Sequence, residues 1–356
     1  MSFKTNSHFV HFLLSWHDEN DRHLPWKANK DPYQIWLSEI ILQQTRVAQG
    51  LPYFERFISL FPTVYDLAFA EESEVFKAWE GLGYYSRARN LHFTAKEIVN
   101  TYHGHFPDTY EGLLSLKGIG PYTAAAIASF AYDLPHAVLD GNVFRVLSRV
   151  FGVEHPVDLP AGKQYFQKLA EALLPSDNAA TFNQAIMDFG ALQCIPKNPN
   201  CPECPMQNIC TAYATGHVKD LPVKSKRLIK QNRYFHFFEV QDAHHIWLEK
   251  RSDKDIWQGL YQFPMIESPE PLLNADIDSP YGIEFNDLIP VFSAKQQLTH
   301  RTIYGAFYQI ESSNLPQIPE NWIKIKSETL SEYPFPRIIH DYLKSRDWLL
   351  SLWDRQ

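Results

Sequence analysis

LKGIGPYTAAA, residues 116–126, is the stretch on which the fold turns. Gly118 and Gly120 flank Ile119, and Pro121, a residue suited to the first position of a helix, comes next. The alanines that follow are strong helix formers. Two glycines let the main chain turn sharply and bring its N–H groups close to another group, and a helix start adds positive potential there. Such a turn suits a phosphate-gripping hairpin, and it suits an ordinary connection between helices equally. Further along, Asp140 stands in LDGNV, residues 139–143. It is placed to cap a helix over 142–150 or to hold a carboxylate out to a ligand.

Outward from this stretch the chain reads as successive helices from Pro32 to about Asn208. Asp31 and Pro32 offer an N-cap and a preset first turn. Apolar residues then recur at Ile35, Leu37, Ile40, Ile41 and Leu42. Later helical patterns cover 51–61, 74–79, 87–101, 122–132, 143–150, 162–174 and 181–192, with Gly or Pro marking many turns. Near residue 217 the pattern changes. Residues 217–232 are polar and basic with a single Pro, as a linker is. Beyond them 234–240, 246–249 and 301–310 alternate or carry β-branched and aromatic residues, as strands do. A closing helix falls within 335–352. At 356 residues the chain is too long for one ordinary core. The expectation is an all-α domain over 1–216, a linker over 217–232 and a smaller α+β domain over 233–356.

The four cysteines, Cys194, Cys201, Cys204 and Cys210, all fall in one short segment. Clustered thiols point to a metal rather than to scattered disulfides. Four thiolates suit a cubane iron–sulfur cluster. They also suit zinc, although zinc usually takes two paired knuckles and only Cys201 and Cys204 form such a pair. Pro196, Pro199, Pro202 and Pro205 stiffen the loop.

Net charge is −8, and neither half of the chain is a basic module. Any nucleic-acid contact therefore comes from local features. The densest basic run, Lys224, Lys226, Arg227, Lys230 and Arg233, reads either as a phosphate-facing strip or as a solvated linker. Apolar runs fall far short of a membrane span, and residues 1–11 lack the order of a secretory signal. The expectation is a soluble cytoplasmic protein, monomeric and without a membrane partner. Glu39, in WLSEIILQQTRV, residues 36–47, sits at the edge of an apolar helix face. Burial there would raise its pKa and keep it partly protonated near neutral pH, unless it is a plain surface glutamate.

Taken together, the glycine hairpin, the aspartate after it and the cysteine spacing resemble the endonuclease III superfamily of DNA glycosylases. The resemblance implies a [4Fe–4S] cluster held by the loop 194–210, and an aspartate facing the sugar whose base is removed. LPWK (24–27), residues 38–47, GLGYYSRARNL (81–91) and FNQA (182–185) are similar, in order, to the adenine DNA glycosylases of MutY type. That family implies double-stranded DNA with A:8-oxoguanine or A:G mispairs as partner. It also implies Glu39 as the acid that protonates adenine, and Asp140, beside Asn142, as the carboxylate that stabilises the sugar cation. Tyr122 takes the place where bifunctional relatives carry a lysine amine, so a monofunctional enzyme is implied. Lys117 and Lys27 leave room for weak lyase activity.

By the same resemblance Trp26, Lys27, Leu42 and Gln184 belong to the adenine pocket, with Lys27 standing where the family usually has Arg. Gln44, Leu82 and Tyr84 lie at the stack and the opposing base, and Gly118 and Gly120 lie at the phosphates. IWQGLYQFP (256–264) resembles the opening of a Nudix-like domain, without the Glu-rich helix a Nudix hydrolase needs. Leu298, Thr299 and His300 fit the family's Phe-Ser-His element, which reads 8-oxoguanine, with Leu in place of Phe and Thr in place of Ser. Two alternatives remain: a bifunctional glycosylase/lyase for oxidised pyrimidines, and a non-catalytic sensor of DNA damage.

Overall fold

A computed structural model of the chain describes residues 3–225, 230–252, 255–270, 281 and 288–346. Lys226 and Arg227 of the basic run, and residues 347–352 of the closing helix, lie outside them. By packing, the chain divides into two units, one formed by 1–68 with 93–227 and the other by 69–92 with 228–356.

The first unit is helical. Its elements are α1 (Phe3–Asn20), α2 (Pro32–Leu42), α3 (Val47–Leu60), α4 (Val64–Phe69), α6 (Ser86–Tyr102), α7 (Tyr110–Ser115), α8 (Pro121–Tyr132), α9 (Gly141–Phe151), α10 (Pro160–Leu173), α11 (Ala179–Leu192) and α12 (Thr211–Ala214). The last residue of α4 and the start of α6 fall, by packing, in the other unit. The helix α1 was not legible in the periodicity, because its apolar residues are interleaved with His and Asn.

Local chemistry sets the ends of the helices that matter. Asp31 caps α2 by accepting from Tyr33 N, with Pro32 in the first turn. The helix α8 starts at Gly120 and Pro121, and α9 starts at Asp140 and stops at Gly152, whose φ is +63°. On α9, Val143, Val146, Leu147 and Val150 recur at helical spacing and are buried with Phe9, Leu13, Phe166, Phe182 and Phe189 in one core. Burying side chains of this size contributes about 1.5–3 kcal/mol each.

The second unit is built on a mixed sheet, with α5 (Glu72–Ala78) and α13 (Arg337–Ser345). Its strands are β1 (Gln231–Gln241), β2 (His245–Lys250), β3 (Tyr261–Gln262), β4 (Met265–Ser268), β5 (Phe292–Gln297), β6 (Arg301–Glu311) and β7 (Ile323–Lys326). Strand order is β3-β2-β1-β6-β5, with β4 paired to β1 and β7 to β2. β1 runs parallel to β6 along their whole length, and β5 and β6 form an antiparallel hairpin. β1 begins at Gln231, so the end of the stretch read as linker is strand. Arg233 within it is engaged by Asp255 and Glu267, which removes it from any free phosphate strip. Gly305 on β6 lies against Ile338 of α13, where a Cβ would come within 2.8 Å of that side chain.

Residues 69–92 belong to this unit through specific bonds. Phe335 N donates to the buried Glu80, whose carboxylate also pairs with His340 and Lys77. Tyr85 Oη donates to Phe335 O, and Arg89 donates to Gln258 O.

Candidate active site and cysteine loop

Glu39 sits in the middle of α2, a helix buried on almost every side from Ile35 to Ile41. It is 7% exposed. Burial pushes its pKa up to about 7; a hydrogen bond with Tyr122 opposes the shift, and the charge of Asp140 adds to it. Tyr122 lies in the first turn of α8, directly after the hairpin glycines. Burial, then the carboxylates of Glu39 and Asp140, hold its hydroxyl well above the ordinary tyrosine range. The structure thus brings Glu39, Tyr122 and Asp140 together around one point, with the phenol bonded to the first carboxylate and in the field of both.

Asp140 does act as a cap. Its Oδ1 accepts from Asn142 N at 2.8 Å and Val143 N at 2.7 Å, while Oδ2 accepts from Asn142 Nδ2 at 2.7 Å. Burial raises its pKa, against these bonds and the nearby charge of Arg145. The loop that carries it is pinned by Asn183, a residue quoted above only as part of a motif. Asn183 Oδ1 accepts from Val138 N, and its Nδ2 donates to His136 O and Ser129 Oγ.

From Asn142 a line of bonds reaches the cysteine loop. Arg145 Nη2 donates to Asn142 Oδ1 at 2.8 Å and to Gly190 O at 2.6 Å, and Arg145 Nε donates to Cys194 O at 2.7 Å. One turn later Arg149 donates to Ile195 O and Pro196 O, and its Nη1 lies 3.5 Å from Cys194 Sγ. Gly190 on α11 makes this approach possible, because a Cβ there would stand 2.6 Å from Asn142 Cβ. Sequence reasoning passed over Arg145 and Arg149. The available signal was two arginines, four apart, on the apolar face of an amphipathic helix.

Cys194, Cys201, Cys204 and Cys210 are free thiols and line one cavity with Arg149, Phe189 and Met206. The cavity's volume is about 20 Å³. Burial and the neighbouring sulfurs push the thiols of Cys201 and Cys210 up, and that of Cys204 up to about 11. Four sulfurs that repel one another as thiolates, on proline-stiffened backbone, are a donor set suited to a multiply charged metal centre.

The remaining pocket residues are held by other partners. Trp26 is buried, edge-on to Phe54 at 5.1 Å. Lys27 Nζ donates to Asp21 at 2.6 Å and to the fully buried Asp188 at 2.8 Å, which also takes Arg22. Two of its three N–H donors are thereby fixed. Leu42 lies against Gly50, and Gln184 is half-buried on α11. The turn residue Gly118 needs its positive φ of +80°, whereas a Cβ on Gly120 would meet nothing within 4 Å. Gln44 is exposed at φ +58°. A left-handed conformation on a non-glycine residue is uncommon and worth a functional question.

In the second unit Tyr84, 46% exposed, shares the same conformation at φ +50°. Its hydroxyl meets Thr299 Oγ1, and the guanidinium of Arg87 lies over its ring. Leu82 is buried. Leu298, Thr299 and the exposed His300 form the turn of the β5–β6 hairpin, closed by Leu298 N donating to Arg301 O at 2.8 Å. Two residues assigned to lesion contact from separate motifs thus touch.

A helical unit with a glycine hairpin, a capping aspartate beyond it and a four-cysteine loop defines a class, that of helix–hairpin–helix base-excision repair proteins. The model of the HhH-GPD superfamily base excision DNA repair proteins matches residues 37–175, and that of the NUDIX domain matches 236–345. The chain is 39% identical over 261 residues to the adenine DNA glycosylase of Buchnera aphidicola subsp. Schizaphis graminum, covering 73% of this chain and 75% of the relative. To that of Buchnera aphidicola subsp. Baizongia pistaciae it is 35% identical over 303 residues, covering 83% and 84%. Among solved structures, a thermostable thymine-DNA glycosylase superposes with a TM-score of 0.56 at 31% identity, over 60% of this chain and 98% of its own. The chain belongs to the adenine DNA glycosylase family.

Proposed function

We propose that this protein excises adenine mispaired with 8-oxoguanine or guanine from double-stranded DNA, as a monofunctional glycosylase. One observation carries the reading: a carboxyl group with a pKa near 7, a tyrosine hydroxyl and a second carboxylate share one buried site. Extruding the base costs a few kcal/mol, least at a mispair. Glu39, about half protonated near neutral pH and more so below it, gives its proton to the departing adenine. Asp140, held in place by three donors, faces the positive charge that builds on the sugar. Tyr122 orients Glu39 and offers no amine, so no Schiff base with the sugar forms at this position. One solved neighbour is described as acting on thymine, so the choice of base rests on the pocket rather than on the fold.

In this reading residues 1–216 include the base-removing machinery, a linker runs from 217 to the start of β1 at Gln231, and the part beyond it reads the lesion through Leu298, Thr299 and His300. Cys194, Cys201, Cys204 and Cys210 would hold a [4Fe–4S] cluster, whose bonds to four sulfurs would clamp the loop into one unit. The protein would act as a cytoplasmic monomer on the nucleoid.

The test is single-turnover cleavage of end-labelled duplexes bearing A:8-oxoguanine, A:G or an oxidised thymine. Strand breaks on the first two, and only after alkali, support the reading; breaks without alkali on the oxidised thymine indicate the bifunctional alternative. His300→Ala is expected to narrow the preference for 8-oxoguanine over guanine, with the A:G rate little changed. Equal losses on both duplexes would remove His300 from lesion reading. Purified protein should be brown and carry about four irons by metal analysis; stoichiometric zinc without iron would contradict the cluster assignment.

A further inference from the structure

In the helical unit, a cleft of about 690 Å³ is formed by the start of α2, the start of α4, the loop after α6 and the end of α8. None of the residues to which the reaction above is assigned lines it. Its walls are aromatic. Tyr33, Tyr65 and Tyr132 line it, and each ring is anchored through its own hydroxyl, donating to Phe61 O at 2.6 Å, His103 O at 2.6 Å and Phe106 O at 3.2 Å respectively. Those protons are turned into the protein, so the exposed Tyr65 and half-buried Tyr132 present ring carbon and oxygen lone pairs rather than donors, with Tyr33 buried behind them.

Several main-chain and side-chain donors are likewise engaged, while the Tyr102 hydroxyl and the His105 imidazole also line the cleft. Thr63 N and Oγ1 both donate to Asp66, Tyr33 N donates to Asp31, and Gly104 N and His105 N bond to main-chain carbonyls. Pro32, Pro62 and Pro107, also in the lining, have no N–H at all. The charged side chains of the lining, His105 apart, are the carboxylates of Asp31 and Asp108, set beside the electron-rich rings. Consistent with this field, burial together with Asp108 and Asp31 pushes the Tyr132 hydroxyl up to about 12.

The volume matches that of small-ligand pockets, which combine aromatic walls with a few placed polar groups. We propose that this cleft is a second binding site, for an organic cation bearing N–H donors, an alkylammonium or guanidinium group. Rings would flank the cation and the two aspartates would accept its hydrogen bonds. A polyamine and an arginine side chain on another polypeptide carry the same chemistry.

Calorimetric titration of the full-length protein separates the two, using spermidine in one arm and acetyl-Gly-Arg-Gly-amide in the other. At least one probe should bind saturably at one site, and its identity names the source. Tetramethylammonium, which has no N–H, should bind at least tenfold more weakly. Asp31→Asn with Asp108→Asn should weaken the bound probe at least tenfold and leave adenine excision unchanged. Asn caps α2 as well as Asp does, and Asp108→Asn alone, at an exposed position, serves if the pair does not fold. No saturable binding of either probe, equal binding to the variants, or tetramethylammonium matching the better probe would overturn the proposal.

Discussion

Glu39→Gln is expected to lower single-turnover adenine release by roughly 10²–10⁴-fold, the usual contribution of a general acid, while mispair binding stays intact. Gln has nearly the same volume and can still bond to Tyr122, so the packing of α2 should hold. It has no proton to give. The wild-type rate should fall as pH rises through about 7, where burial has placed the Glu39 pKa, because the acid form is then lost. On the acid side the rate should fall again as Asp140 protonates, at a pH above the usual aspartate range because burial raises its pKa too. The variant should lose the alkaline fall and keep the acid one. A variant as fast as wild type, or one whose alkaline fall persists, removes Glu39 from the mechanism.

Asp140→Asn separates two functions that one side chain combines. As a cap, Asn is about as good as Asp, so α9 should remain and thermal stability should change little. As a counter-charge for the sugar, it fails. Loss of a fixed anion at the developing cation is expected to cost roughly 10²–10³-fold in rate. If the cap were its whole contribution, the variant would excise adenine at the wild-type rate with an unchanged melting temperature.

Much of this is legible in the amino-acid sequence, because it rests on short-range rules. Asp31 with Pro32, Gly120 with Pro121, and Asp140 mark helix starts through cap chemistry, and the structure begins α2, α8 and α9 where those residues put them. The parallel pairing of β1 with β6 was not legible, since nothing local joins residues far apart in the chain. Nor was β5, with the burial pattern of an edge strand and only half-buried apolar positions. Residues 69–92 show the same limit, reading as helices like their neighbours but taking their partners, through Glu80 and Arg89, from the far end of the chain. At the site, Glu39 and Asp140 could be named from sequence. The arginines that tie Asn142 to the cysteine loop were marked only by their place on the apolar face of α9, since most of their bonds go to main-chain carbonyls, which leave no trace in residue identity.

The most direct measurement is a crystal structure of the protein on a duplex carrying 8-oxoguanine opposite an uncleavable 2′-fluoro analogue of deoxyadenosine. Glu39 should lie within hydrogen-bonding distance of a ring nitrogen of the extruded adenine, with Asp140 beneath the sugar at the bond to be broken. Carboxylates that face separate regions, with no nucleoside between them, would contradict the account.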